Sequence, residues 1–223
     1  MVSNTAKRVM PQRARKEEDK EARRRQLLDA ALELYRATSY DEVKMADVAE
    51  RVKLAKGTVF LYFPTKEALF LALLEELLFA WFERLEALLA RGEGRWTGAR
   101  VARTVAESLE GEEPLTRLLA RLQTVLEQNV TLEQARGFKE RLLAALVRSG
   151  ALVEKRLPFL QPGEGGRFFL HVHALVTGLR QMADVAPVVR EVLEAPHMAP
   201  LRVDFTAELT HALTTLLRGL EPR

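Results

Sequence analysis

A chain of 223 residues, 48% hydrophobic and 29% charged, has the composition of a folded globular protein rather than a disordered or fibrous one. It holds no cysteine, which excludes disulfides, thiolate metal sites, iron–sulfur clusters and a cysteine nucleophile. The formal net charge of +3 is unevenly spread: residues 1–16 carry five basic and no acidic side chains, residues 17–66 ten of each, and the remainder 19 basic against 21 acidic.

Residues 1–16 are polar, basic and aperiodic and read as a flexible arm. Such an arm points to an anionic partner, nucleic acid or a membrane surface, and equally to a solvated tail. No apolar signal region and no stretch of ~20 nearly uncharged residues is visible, so a cytoplasmic protein without a membrane partner is expected.

A helix pattern begins at Glu17, with Leu28, Ala31, Leu32 and Tyr35 at i, i+3, i+4 and i+7. Thr38 and Ser39 end it. Met45, Val48, Ala49 and Val52 repeat the spacing in a short second helix. Lys53 and Leu54 leave room for only a tight turn before a third, about Ala55 to Tyr62. Pro64 stops the third helix, and Thr65 can cap a long apolar fourth, with Glu67 in its first turn. Past Gly92 the pattern stays helical, at roughly 96–109, 115–128, 131–156, 165–185 and 203–219, with Thr131 capping one start. The fold class is all-α.

Two short helices joined by a tight turn behind a longer one have the layout of a helix-turn-helix, whose second short helix enters the major groove. Gly57 removes bulk at the start of the third helix, Lys56, Thr58 and Tyr62 offer donors, and Lys66 stands at a helix N-terminus suited to a phosphate. Periodicity by itself gives only a small helical bundle.

Over Arg24–Leu74 the sequence resembles the TetR (tetracycline-repressor-like) family of bacterial regulators. The likeness is strongest in DVAERVKLAKGTVFLYFPTKEALF, Asp47 to Phe70, set against a run of the type IAxxAGVSxGTLYxHFxSKExL. The resemblance implies that helices two and three read DNA and that helix four leads to a ligand domain. It places Lys56, Gly57, Thr58, Phe60, Leu61 and Tyr62 on the recognition helix, with Thr58, Tyr62 and Lys66 at phosphate-contacting positions. Lys44 joins the DNA-binding set. Val48, Ala49, Val59, Phe63 and Leu69 match internal packing positions. Three departures stand out: Ser39 where a glycine is usual, Lys44 where a Ser/Thr cap is usual, and Phe60 in place of tyrosine. Leu61, apolar at a position that could face the groove, can meet a thymine methyl, pack inward or simply be exposed.

The implied organisation is a basic arm (1–16), a three-helix DNA-binding domain (17–66) and a helical effector-binding and dimerisation domain (67–223), linked by the helix over 67–91. Trp81, Phe82, Phe138, Phe168 and His171 are the candidate effector residues, for an apolar or aromatic small molecule. Leu175, Gly178, Leu179, Leu209, Leu213 and Leu216 are candidates for a homodimer face. No metal site, cofactor or catalytic residue is expected. His171 and His173, two apart on a helix, point in different directions. Gly163–Gly166 follows no strand and lacks the Lys-Ser/Thr of a phosphate loop. The expected function is that of a homodimeric, ligand-released repressor on a palindromic DNA operator. The alternatives are a regulator or activator without effector, whose second domain only dimerises, and, remotely, a helical enzyme with a vestigial DNA-binding head.

Overall fold

The computed structural model describes residues 12–91 and 93–222, with side chains from Glu17 onward. Residues 1–11 of the expected arm lie outside the described residues. Among the described residues ten α-helices follow one another: α1 (Gln12–Ala37), α2 (Met45–Arg51), α3 (Lys56–Tyr62), α4 (Lys66–Arg91), α5 (Gly98–Glu107), α6 (Glu113–Leu119), α7 (Leu132–Arg156), α8 (Glu164–Ala183), α9 (Pro187–Leu193) and α10 (Phe205–Leu220). No strand occurs among the described residues, and none of their helices is long and apolar enough to cross a membrane. Helix α1 starts at Gln12 rather than Glu17, because residues 12–16 contain strong helix formers and no breaker.

The chain divides into two compact units, Met1–Leu69 and Phe70–Arg223. In the first, α1 buries Leu27, Leu28, Ala31 and Tyr35, α2 buries Met45, Val48 and Ala49, and α3 contributes Val59. Phe63 and Leu69 are also buried, so all five residues matched to packing positions lie inside. Asp47 caps α2 by accepting the Lys44 backbone N–H at 3.2 Å, which supplies the start that the Lys44 side chain cannot. Ser39 keeps a negative φ. The left-handed residue is Lys53, at φ 56°, in the turn between α2 and α3.

In the second unit α4 is apolar around most of its circumference and buries Phe70, Leu74, Leu78, Trp81, Phe82, Leu85 and Leu89. Its last carbonyls, Leu89 and Ala90, accept from the Arg156 guanidinium at 2.7 and 2.8 Å. Helices α7 and α8 cross at Gly150 and Gly165. A Cβ added to Gly165 would lie 2.1 Å from the Gly150 carbonyl oxygen, so only glycine permits this approach. One turn further along α7, the Glu154 carboxylate accepts from the N–H groups of Gly163 and Gly165 at 2.8 and 3.0 Å. That carboxylate satisfies N–H groups at the α8 N-terminus and complements its positive end. Helix α10 packs on α5 through Leu209, Leu213 and Leu217, with Val101, Ala102, Val105 and Ala106 buried on α5.

Between α6 and α7 the chain makes a π-helical turn, Leu122–Leu126, instead of continuing a helix over 115–128. The N–H groups of Leu126 and Glu127 bond to the carbonyls of Arg121 and Leu122, five residues back, at 3.1 and 3.0 Å. The Pro-rich stretch after α8 holds α9 and a 3-10 segment, Pro196–Leu201, neither with a buried residue. Thr131 caps α7 in a reciprocal pair with Gln134.

Candidate nucleic-acid interface and effector pocket

Helix α3 is held by one buried side chain, Val59, which turns the rest of its surface outward. Leu61 is 83% and Phe60 39% exposed, Lys56 and Gly57 are exposed, and Thr58 and Tyr62 are half-buried. Leu61 therefore does not pack inward. A Cβ on Gly57 would meet nothing within 4 Å, so nothing inside the fold requires glycine there. Lys44 is exposed one residue before α2. The Lys66 ammonium donates to the Asp41 carbonyl at 3.3 Å and lies 4.4 Å from the Tyr40 ring, which fixes its charge beside the start of α4. Thr65 caps that start, its hydroxyl accepting from the Ala68 N–H at 3.0 Å.

The turn that aims α3 carries features the pattern did not flag. The N–H groups of Lys53 and Leu54 bond to the carbonyls of Glu50 and Ala49 at 3.0 and 2.9 Å, the paired bonds that close a helix through a left-handed residue. That residue is usually glycine, and here it is Lys53. Ala55 then begins α3 without a side-chain cap. The family run quoted above has Gly and Ser at these two places.

In the second unit a cavity of about 160 Å³ opens among α4, α7, α8 and the π-helical turn. Its walls are apolar: Leu78, Trp81, Phe82, Leu122, Phe169 and Val176 contribute. Phe169 meets Trp81 and Phe82 edge to face, with ring centroids 6.4 and 5.7 Å apart, Trp81 and Phe82 lie tilted at 4.7 Å, and Trp81 Nε1 donates to Ser108 Oγ at 2.9 Å. Three polar groups converge on the lining: Gln123, Lys139 and His173. The Gln123 amide nitrogen lies 3.0 Å from His173 Nε2. Burial, aided by the Lys139 charge and opposed by Glu127, holds the imidazole below its ordinary pKa.

Of the expected effector residues, Trp81 and Phe82 line this cavity. Phe138 and Phe168 do not; they are fully buried elsewhere in the core. His171 is exposed, and His173 takes the place expected for it, because two residues along a helix turn a side chain through about 200°. No group of three or more metal-ligating side chains occurs among the described residues.

Comparison with known proteins bears on both units. The model of the tetracyclin repressor-like C-terminal domain matches residues 75–223, and that of the bacterial regulatory proteins of the tetR family matches residues 27–73. The chain belongs to the TetR family. The transcriptional repressor KstR of Mycolicibacterium smegmatis is 31% identical over 116 residues, 51% of this chain and 48% of its own. The fatty acid metabolism regulator protein of Bacillus subtilis is 33% identical over 61 residues, 27% of this chain and 31% of its own. These matches span less than half the length of the curated relatives. Among solved structures, Thermus thermophilus FadR, a TetR family repressor in complex with lauroyl-CoA, is 26% identical with a TM-score of 0.51, over 90% of this chain and 96% of that one. The fatty acid degradation regulator FadR from Bacillus halodurans, 20% identical with a TM-score of 0.55 over 87% and 97%, shares the fold.

In this TetR-family chain the dimer candidates fall into two groups. Leu209 and Leu213 have no exposed surface and pack within the protomer, so they offer nothing to a partner in this conformation. Leu175, Gly178, Leu179 and Leu216 are half-buried, and a Cβ on Gly178 would meet nothing within 4 Å. On the same two helices Met182 and Leu220 are exposed. The α10 leucines form an apolar face, but their spacing cannot tell an internal partner from an external one.

Proposed function

We propose that the protein is a sequence-specific DNA-binding regulator, a homodimeric repressor released from a palindromic operator by a small apolar or aromatic effector, acting in the cytoplasm. The observation that carries this reading is the outward face of α3, where Lys56, Gly57, Thr58, Phe60, Leu61 and Tyr62 surround a single buried anchor. An α-helix fits the major groove by width, and a thymine methyl suits an exposed leucine. Lys44 and Lys66 supply phosphate contacts. The apolar cavity supports a ligand-responsive regulator over one whose second unit only dimerises, as does the lauroyl-CoA complex of the Thermus thermophilus relative. The name of KstR supports repression.

Release follows from differential affinity: the effector binds more tightly to a conformation whose two reading heads are wrongly spaced for the operator. Helix α4 provides the route, since the same helix carries Lys66 near its start and Trp81 and Phe82 in the cavity wall. A gel-shift assay against genomic fragments in moderate salt tests the reading. One or a few fragments should shift in preference to bulk DNA, and uniform or absent binding would sink it.

A further inference from the structure

Glu127 closes an ion pair with Lys139 at 2.5 Å, its side chain 22% exposed and that of Lys139 half exposed. The contact is made by Glu127 Oε1, an atom removed from solvent. A carboxylate so placed has exchanged part of its hydration for the contact with Lys139. It also ends the π-helical turn, whose last bond is made by its own N–H. Lys139 lines the cavity, and Glu127 does not. Of the three polar groups in the lining, Lys139 is thus the cation, and its counter-ion comes from outside the lining.

We propose that the effector is a small monocarboxylate with an apolar body, and that its carboxylate replaces Glu127 on Lys139. This rests on the reading of the second unit as an effector domain and adds the ligand's charge and the group it displaces. The apolar body fills the cavity, whose volume of about 160 Å³ is close to that of apolar cavities that take up a benzene-sized group. Gln123 and His173 flank the head group. Two carboxylates cannot share one ammonium without repulsion, so Glu127 leaves and is rehydrated. A cationic ligand would meet Lys139 repulsively, and a neutral one would gain apolar burial alone. Because Glu127 terminates the π-helical turn, occupancy of the cavity and the state of that turn become linked.

Four probes of one chain length test this: hexanoate, 1-hexanol, hexylamine and hexanoyl-CoA, titrated by calorimetry and by the fluorescence of Trp81 in the cavity wall. Hexanoate should bind one per chain, about tenfold or more tighter than 1-hexanol, and hexylamine should not bind. Glu127→Gln should tighten hexanoate several-fold by removing its competitor and leave 1-hexanol unchanged. Lys139→Gln should erase the preference for hexanoate over 1-hexanol. Equal binding of hexanoate and 1-hexanol, or weaker hexanoate binding by Glu127→Gln, overturns the proposal. Binding of hexanoyl-CoA without hexanoate also overturns it while leaving an effector pocket in place. No binding by any probe removes both the proposal and the effector reading beneath it.

Discussion

Lys53 holds a backbone conformation that costs an L-residue about 1–2 kcal/mol, and Ala55 leaves the start of α3 uncapped. Both lie in the turn that aims the recognition helix. Lys53→Gly should stabilise the first unit by about 0.5–1 kcal/mol after the extra chain entropy of glycine is deducted. Ala55→Ser should add about 1 kcal/mol, since the Thr58 N–H already lies over residue 55. Urea denaturation of the two variants checks both signs; a lower midpoint for either would contradict the account. Neither feature was legible from hydrophobic spacing, because a left-handed φ and a missing cap leave the apolar pattern untouched. Lys66 was legible as a cation at a helix start, but its seat against Tyr40 and Asp41 was not, since those contacts cross 25 residues of chain. Lys66→Ala should weaken DNA binding across all sequences and reduce the salt slope by about one. An unchanged slope with weaker binding would mean the lysine only steadies the fold.

Helix existence and type were largely readable. The second, third and fourth helices, and those begun by Thr131 and at the Gly-rich turn, fall close to their expected places, the long ones because their apolar stripes are long and the two short ones because the tight turn at 53–54 and Pro64 bound them. The π-helical turn was not readable, as its five-residue bonds respond to packing against α7 and α8 rather than to any residue signal. Nor was the α7–α8 crossing, where the close approach belongs to Gly150 and Gly165. Gly165→Ala should therefore cost about 3 kcal/mol or more, since the backbone atoms it meets cannot move aside. Gly137→Ala, in the same unit but facing open space, should gain up to about 1 kcal/mol. Thermal melts of this pair separate a crossing constraint from ordinary helix propensity; equal shifts would remove the constraint.

For the molecule as a whole, the small net charge conceals an arrangement in which the excess sits at the N-terminus and the reading head is balanced. The head was recognisable because a short motif packs its buried and exposed positions into 24 residues. The second unit was readable only as helices, because which faces meet inside a protomer and which meet a second copy depends on the tertiary path. A homodimer through Leu175, Gly178, Leu179 and Leu216 predicts that Gly178→Leu yields monomers in sedimentation while the helix content is unchanged, since no internal neighbour stands within 4 Å of that Cβ. A dimer that survives this change would place the interface elsewhere. Two-fold symmetry then requires half-sites about 34 Å apart, in successive major grooves on one face of the duplex.

Footprinting with guanine N7-methylation interference, on whichever genomic fragment is shifted most strongly, asks directly whether α3 reads a major groove. The expected result is two protected, inverted half-sites about one helical turn apart, with binding lost when N7 positions inside them are methylated. Protection without sequence preference, or binding indifferent to major-groove methylation, would contradict it.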